Sequence, residues 1–488
     1  MTICVALRTE HLAVRRGTSA PVTRVGMRAP RANVVAQLPG PVAMLGVAGG
    51  VAPWVQVGDV VVATEVRSDG TTVQCPSAPL LAGALRRCGL TVHLGPIATQ
   101  HSLARGDDFA RLAMTGALAV DMESATVATA AGDRPFAVVR VVTDTPAAPL
   151  ARPGIVRDGY RALRTLTQVA RVMDDWSAAA ATREVRLAAP RSFCAGVERA
   201  IDIVERALDR YGAPIYVRRQ IVHNAHIVAA LEARGAVFVE ELDEVPDGAR
   251  VIFAAHGVTP AVRRDASDRG LSVIDATCPL VAKVHNEVRR YATKDATVFL
   301  IGHRDHEEVV GTVGEAPGNV VVVDSVEEAA SVAAADPDNV AYVMQTTLAV
   351  DEAERIAGRL RKRFPALVAP RSDDICYATS NRQTAVREIA IDSDLVLVVG
   401  SVNSSNSQRL VEVARRAGAE AHLVDDAGDI NLEWLVGASR IGITAGASAP
   451  PHLVDEIVHC LRGLGPIDVH EVSAVEENVT FTLPREVS

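Results

Sequence analysis

The chain has 488 residues, more than one ordinary domain holds, and its length suggests about three domains. A hydrophobic content of 48% with only 3% aromatic residues means that aliphatic side chains fill the cores, and a net charge of −9 argues against a nucleic-acid-binding surface. Seven cysteines in so long a chain do not make a secreted disulfide framework. The start, Met1-Thr-Ile-Cys-Val-Ala-Leu7, carries no leader pattern, and no charge-free run of about 18 apolar residues occurs. A soluble, cytoplasmic protein without membrane segments is expected.

Residues 1 to about 145 alternate apolar runs with helical patterns. Val42–Val47, Asp59–Ala63, Val92–Ile97, Ala117–Val120 and Phe136–Val142 predict strands, hence an α/β domain, with Gly46-Val-Ala-Gly-Gly-Val-Ala52 as a glycine-rich turn. Glu123 falls where a strand gives way to a helix, and Asp144 falls just beyond a buried strand, so both stand at the ligand edge of a sheet. These pieces resemble the purine nucleoside phosphorylase and nucleosidase superfamily. The resemblance implies that the Met122-Glu123 pair holds a ribose and that Asp144, in Arg140-Val-Val-Thr-Asp144, protonates a leaving purine. Val25-Gly-Met-Arg-Ala-Pro30 departs from the glycine-rich turn of that family, and Arg28 there either clamps an anion or fills the pocket. The alternative is an α/β module that docks on the second half of the chain.

Pro149–Pro153 reads as a loop and Val156–Trp176 as a helix that closes the first domain. Ser177-Ala-Ala-Ala-Ala-Ala-Thr182 is a tether, either short helix or flexible linker, and the boundary falls at about residue 180. From Val185 onward, strands alternate with helices such as Ala195–Tyr211 and Asn381–Ile391. This pattern predicts parallel, doubly wound α/β units at approximately 181–282, 283–372 and 373–488. Polar clusters follow the strands at His256-Gly257, Thr277-Cys278, Gly302 to Glu308, Gln345-Thr-Thr347, Ser401 to Asn406 and Ser448. Random loops would not supply this one-sided set of Cys, His, Ser, Thr and Asn, so convergence on one site is expected.

Cys194, Cys278 and Cys376 stand in similar settings, too far apart along the chain for a local zinc clip. Three such thiolates without a nearby fourth suit an iron–sulfur cluster with one iron left open for substrate. Cys4, Cys75, Cys88 and Cys460 read as buried or incidental thiols. His223 and His256 sit beside turns; no third histidine or carboxylate at suitable spacing supports a metal there, and hydrogen bonding to an anionic substrate fits better. Ser404, Ser405, Asn406 and Ser448, with helix N-termini, would complete a diphosphate cradle. Glu308, two residues after His306, is a candidate proton donor whose carboxyl group Thr346 and Thr347 would orient or whose proton they would relay, against the plainer reading of a solvated carboxylate at a helix start.

Phe193-Cys-Ala-Gly-Val197, Asp275-Ala-Thr-Cys-Pro-Leu-Val281, Ile301-Gly-His303 with His306 and Glu308, Gln345-Thr-Thr-Leu348 and Asn403-Ser-Ser-Asn406 carry a second resemblance, extended by Cys376-Tyr-Ala-Thr-Ser-Asn-Arg-Gln383 and Thr444-Ala-Gly-Ala-Ser-Ala-Pro450. Together they resemble the 4-hydroxy-3-methylbut-2-enyl diphosphate reductase family. That resemblance implies a pseudo-threefold array of three α/β units around a [4Fe–4S] cluster on Cys194, Cys278 and Cys376. It also implies diphosphate ligands at His223, His256, Ser404, Ser405, Asn406 and Ser448, and a proton route through His306, Thr346 and Glu308. The implied reaction is reductive dehydroxylation of the allylic diphosphate to isopentenyl and dimethylallyl diphosphate, the last step of the non-mevalonate route, with a ferredoxin- or flavodoxin-type electron donor. Glu307 stands where the family usually has proline, and it either raises the pKa of Glu308 or points to solvent. The competing reading is an iron–sulfur redox sensor without turnover.

Overall fold

The computed structural model describes residues Met1–Ser488, which divide by compactness into two units. The first comprises Met1–Val185 with Asp426–Ile441 and Asp455–His470; the second comprises Arg186–Asp425, Gly442–Val454 and Glu471–Ser488. A single cut near residue 180 therefore misses two segments from late in the chain that pack with the early residues.

In the first unit, Phe136–Asp144 is buried at every position, as a strand with neighbours on both edges and both faces must be. It pairs in parallel with Val42–Gly50 and antiparallel with Val60–Ser68. Val60–Ser68 pairs with Val92–Thr99, that strand with Ala119–Asp121, and Ala119–Asp121 returns to Val42–Gly50. Five strands thus close into a ring, with Thr2–Val5, Val22–Arg24 and Thr71–Gln74 added outside it. The expected glycine-rich turn at Gly46–Ala52 is instead mostly strand, because Val42–Gly50 continues through it. Gly46 serves proximity rather than bending: a Cβ there would lie 2.7 Å from Glu10 Oε1 and closer still to Arg140 Nη1.

Helix Ile155–Ala178 buries Leu166, Val169, Met173 and Trp176, and Trp176 Nε1 donates to Ser77 Oγ at 3.1 Å. Helix Ala78–Arg87 runs against Ala427–Asp429, where Arg87 donates to the Gly428 and Ile430 carbonyls at 2.8 and 2.9 Å.

In the second unit, two separate parallel sheets are each covered by helices. One has the order Ala236–Val239, Ile215–Arg218, Arg250–Phe253, Ser272–Asp275. The other has the order Val320–Val323, Thr297–Ile301, Val340–Met344. A third, five-stranded sheet contains Glu420–Val424, Leu395–Val399, Arg440–Ala445, Arg183–Ala189 and Ile467–Ser473 in that order. Arg183–Ala189 opens the second half of the sequence but joins this last sheet, so the expected 181–282 block gives its first strand to the 373–488 block. Aliphatic runs such as Leu395–Val399 are wholly buried, as central parallel strands require.

Candidate active site

The loops that leave the carboxyl ends of these strands deliver the polar residues. Cys194, Cys278 and Cys376 are the N-cap residues of helices Ala195–Tyr211, Pro279–Ala292 and Tyr377–Ala390. Helix Glu307–Glu315 is capped by His306 and helix Ser405–Arg416 by Ser404. Each cap brings unpaired backbone N–H groups and the positive end of a helix dipole to the same region. One cavity, with about 800 Å³ of atom-free space, is lined by every residue named for this site from the sequence: the three cysteines, His223, His256, His306, Glu308, Thr346, Thr347, Ser404, Ser405, Asn406 and Ser448.

A single point beside Gly196, where its Cβ would stand, lies 2.9 Å from Cys278 Sγ and 3.8 Å from Cys194 Sγ. Cys376 Sγ accepts from Thr379 N at 3.3 Å. Burial pushes Cys376 up to about 12, with Cys194 adding to the rise, and pushes Cys278 up to about 11. As free thiols these two stay protonated at neutral pH, and only a bound metal would ionise them. Three gathered sulfurs at helix N-termini are thus the donor chemistry of a soft-metal or iron–sulfur centre. Cys4, Cys75 and Cys460 are buried elsewhere, and Cys88 is exposed.

Glu308 is 2% exposed. Its Oε1 accepts from Thr346 N at 2.7 Å and its Oε2 from Thr346 Oγ1 at 2.9 Å. Burial raises its pKa to about 7, against the lowering pull of those two bonds. Thr346 therefore orients this carboxyl group, whereas Thr347 accepts from Gln345 Nε2 at 2.8 Å and contacts Ser405 Oγ at 3.4 Å. Glu307 does not act on Glu308. It turns to Arg219 at 3.3 Å and His256 at 3.5 Å; burial alone would raise it, but the His256 bond and the surrounding positive charge hold it at about 2.

The rings of His223 and His256 stack with centroids 4.1 Å apart, and His306 meets both edge-on at 5.9 and 6.0 Å. Burial holds His223 at about 3 and His306 at about 4, so both are neutral at pH 7. His306 Nδ1 accepts from Glu308 N at 3.2 Å, which leaves its proton on Nε2. Asn406 is 5% exposed, yet neither its amide oxygen nor its amide nitrogen has a partner. Ser448 Oγ donates to His223 O at 3.1 Å and lies 3.5 Å from Ser404 Oγ.

Sequence reasoning missed several supporting residues. Arg382, fully buried, donates to Ser192 O at 2.7 Å, Phe193 O at 3.0 Å and Ala378 O at 3.1 Å, and pairs with Glu477 at 3.0 Å. It ties the segment before Cys194 to the helix that follows Cys376. Asp374, two residues before Cys376, accepts from Met344 N and Lys283 at 3.0 Å each. Phe481, from the last strand-free segment, lines the cavity. The position of Arg382 in the Cys376–Gln383 motif was the available signal for it.

Residues 185–462 match the model of the LytB protein family. The chain belongs to the LytB family. Residues 22–172 match the model of the phosphorylase superfamily. The LytB portion is 56% identical to the 4-hydroxy-3-methylbut-2-enyl diphosphate reductase of Leifsonia xyli subsp. xyli, over 62% of this chain and 91% of that protein. It is likewise 56% identical to the reductase of that name from Bordetella pertussis, over 63% of this chain and 95% of that protein. Among solved structures, the E-1-hydroxy-2-methyl-but-2-enyl-4-diphosphate reductase from Plasmodium falciparum matches with a TM-score of 0.60 and 38% identity, covering 63% of this chain and 97% of its own. No helix of this LytB protein is long and apolar enough to cross a membrane.

Proposed function

We propose that the LytB portion removes the allylic hydroxyl of (E)-4-hydroxy-3-methylbut-2-enyl diphosphate reductively, giving isopentenyl and dimethylallyl diphosphate. The observation that carries this reading is the meeting of three N-cap cysteines, the raised carboxyl of Glu308 and an unpartnered Asn406 amide in one cavity, in a chain similar to proteins of that name. Cys194, Cys278 and Cys376 would hold a [4Fe–4S] cluster. When bound, the cluster supplies Lewis acidity toward the hydroxyl and a path for two electrons from a ferredoxin- or flavodoxin-type donor.

The residues of the chain supply binding and protons. Neutral His223, the Asn406 amide, the Ser404, Ser405 and Ser448 hydroxyls and the N–H groups opening helix Ser405–Arg416 take the diphosphate, with His256 beside them. His306 offers its Nε2–H across the cavity. Glu308 gives its proton to the departing hydroxyl, which leaves as water, and Thr346 holds the carboxyl in line. Two electrons and two protons balance the reaction, and the second proton enters at either end of the allyl unit to set the product. A cytoplasmic site of action fits this electron supply.

The test is anaerobic turnover together with Mössbauer spectra, with and without the allylic diphosphate. Turnover and a substrate-dependent change at one iron are expected. A cluster whose spectrum ignores the diphosphate, with no turnover, would favour the redox-sensor reading.

A further inference from the structure

Along the chain, His223 and His256 lack a third donor at metal-ligand spacing, yet folding supplies one. Glu307 opens helix Glu307–Glu315 at the same place, and each of the three residues offers a ligand atom within 4.8 Å of the other two. His256 Nδ1 stands 3.5 Å from Glu307 Oε2. That is long for a hydrogen bond but close to the separation of about 3.3 Å between two donors on one tetrahedral zinc. His223 Nδ1 is enclosed without a hydrogen-bond partner, and His256 Nδ1 has only this long contact. Enclosed polar atoms left this way are costly unless a ligand satisfies them.

The carboxylate is held as a metal ligand would be. Its other oxygen, Oε1, lies 3.3 Å from Arg219 Nη1, and Arg219 Nη2 lies 3.1 Å from Glu241 Oε1. Arg219 thus orients Glu307 from behind, while Glu241 offsets the guanidinium charge. At pH 7 Glu307 is ionised and His223 neutral, so a carboxylate and an imidazole lone pair are both available with no proton to displace.

The cavity of the first unit gathers more carboxylates but offers a metal less. Glu10, Asp121, Glu123 and Asp144 line it, with no histidine or cysteine among them. Fully buried Arg140 already supplies the cation: it pairs with Asp121 at 2.5 Å and Glu123 at 3.5 Å, and its unpartnered Nη1 stands beside Glu10. Arg28, the anion clamp considered from the sequence, has its side chain in solvent, and its backbone N–H donates to Glu123 Oε1 at 3.0 Å.

We propose that His223, His256 and Glu307 bind a divalent ion of borderline softness, typified by zinc, through one nitrogen of each imidazole and Glu307 Oε2. Two nitrogen donors favour zinc over magnesium or calcium, which take oxygen. On His256 the ion takes Nδ1 and leaves the proton on Nε2, so the ring remains a hydrogen-bond donor in the cavity that it lines. The inference shares two residues with the reductase reading but does not rest on it.

The test dialyses the full-length protein, anaerobically reconstituted, against buffered zinc or magnesium. Bound metal and iron are measured by atomic emission, and the zinc shell by X-ray absorption. Expected are one zinc per chain at unchanged iron content, a nitrogen and oxygen shell at about 2.0–2.1 Å with imidazole scattering, and no retained magnesium. Glu307→Gln should weaken zinc binding by at least about 100-fold, since partners behind a ligand are alone worth up to about that much. Its cluster absorbance should match wild type, which shows the fold intact. Zinc held equally well by Glu307→Gln, a sulfur shell at about 2.3 Å, or no zinc retained at micromolar free concentration overturns the site. None of these readouts uses turnover, so the reductase reading stands or falls separately.

Discussion

Glu308 can act as an acid because its surroundings make ionisation costly. Burial lifts its pKa to about 7, and Thr346 partly offsets that lift by hydrogen-bonding both carboxyl oxygens. The donor is the protonated form, so turnover should be flat below this value and fall as pH rises through about 7. Glu308→Gln should lower kcat by about 10²–10⁴-fold with diphosphate affinity retained; full turnover in this variant would exclude the assigned role. Thr346→Val removes a bond that favours the charged carboxylate. The alkaline limb of kcat should therefore move upward, by about one pH unit. Glu307→Gln should leave that limb in place, because Glu307 is turned toward Arg219 and His256. A kcat–pH profile for each variant separates the three.

At the scale of elements, the recurring device is a helix whose first residue carries the chemistry. The approach of helix Ala195–Tyr211 to Cys278 depends on Gly196, whose added Cβ would stand 2.9 Å from the Cys278 sulfur. Gly196→Ala should bind markedly less iron per chain under anaerobic reconstitution while keeping its far-ultraviolet circular dichroism. Iron content equal to wild type would show that this contact is slack. Arg382→Met leaves Glu477 and three carbonyls without their buried partner. It should cost about 3–5 kcal/mol in denaturant unfolding, since breaking a buried pair strands its other half.

At the scale of the whole molecule, sequence order and packing order disagree. Asp426–Ile441 and Asp455–His470 belong by packing with residues 1–185, where Leu432 and Leu435 are buried and the helix Ala78–Arg87 lies alongside. A fragment of residues 181–488 would uncover those leucines, at about 1.5–3 kcal/mol each. Its calorimetric Tm should fall several degrees below that of the matching transition in the full chain. An unchanged Tm would mean that the two segments are stable without the early residues.

Local grammar is what the residues alone could determine. A strand run followed by Cys, His or Ser and then a helical pattern fixes a polar side chain at a helix start, so Cys194, Cys278, Cys376, Glu308 and Ser404 were legible one by one. Their motifs in order made the family legible as well. Tertiary structure decided what depends on distant neighbours: the strand Arg183–Ala189 joining the last sheet, the closed ring in the first unit and the turning of Glu307 away from Glu308. It also decided the charge of each cavity, because a proton affinity or an ion pair is set by which groups burial brings within a few ångströms. Neighbours along the chain do not reveal those groups, and Arg140 locked between Asp121 and Glu123 is the clearest case.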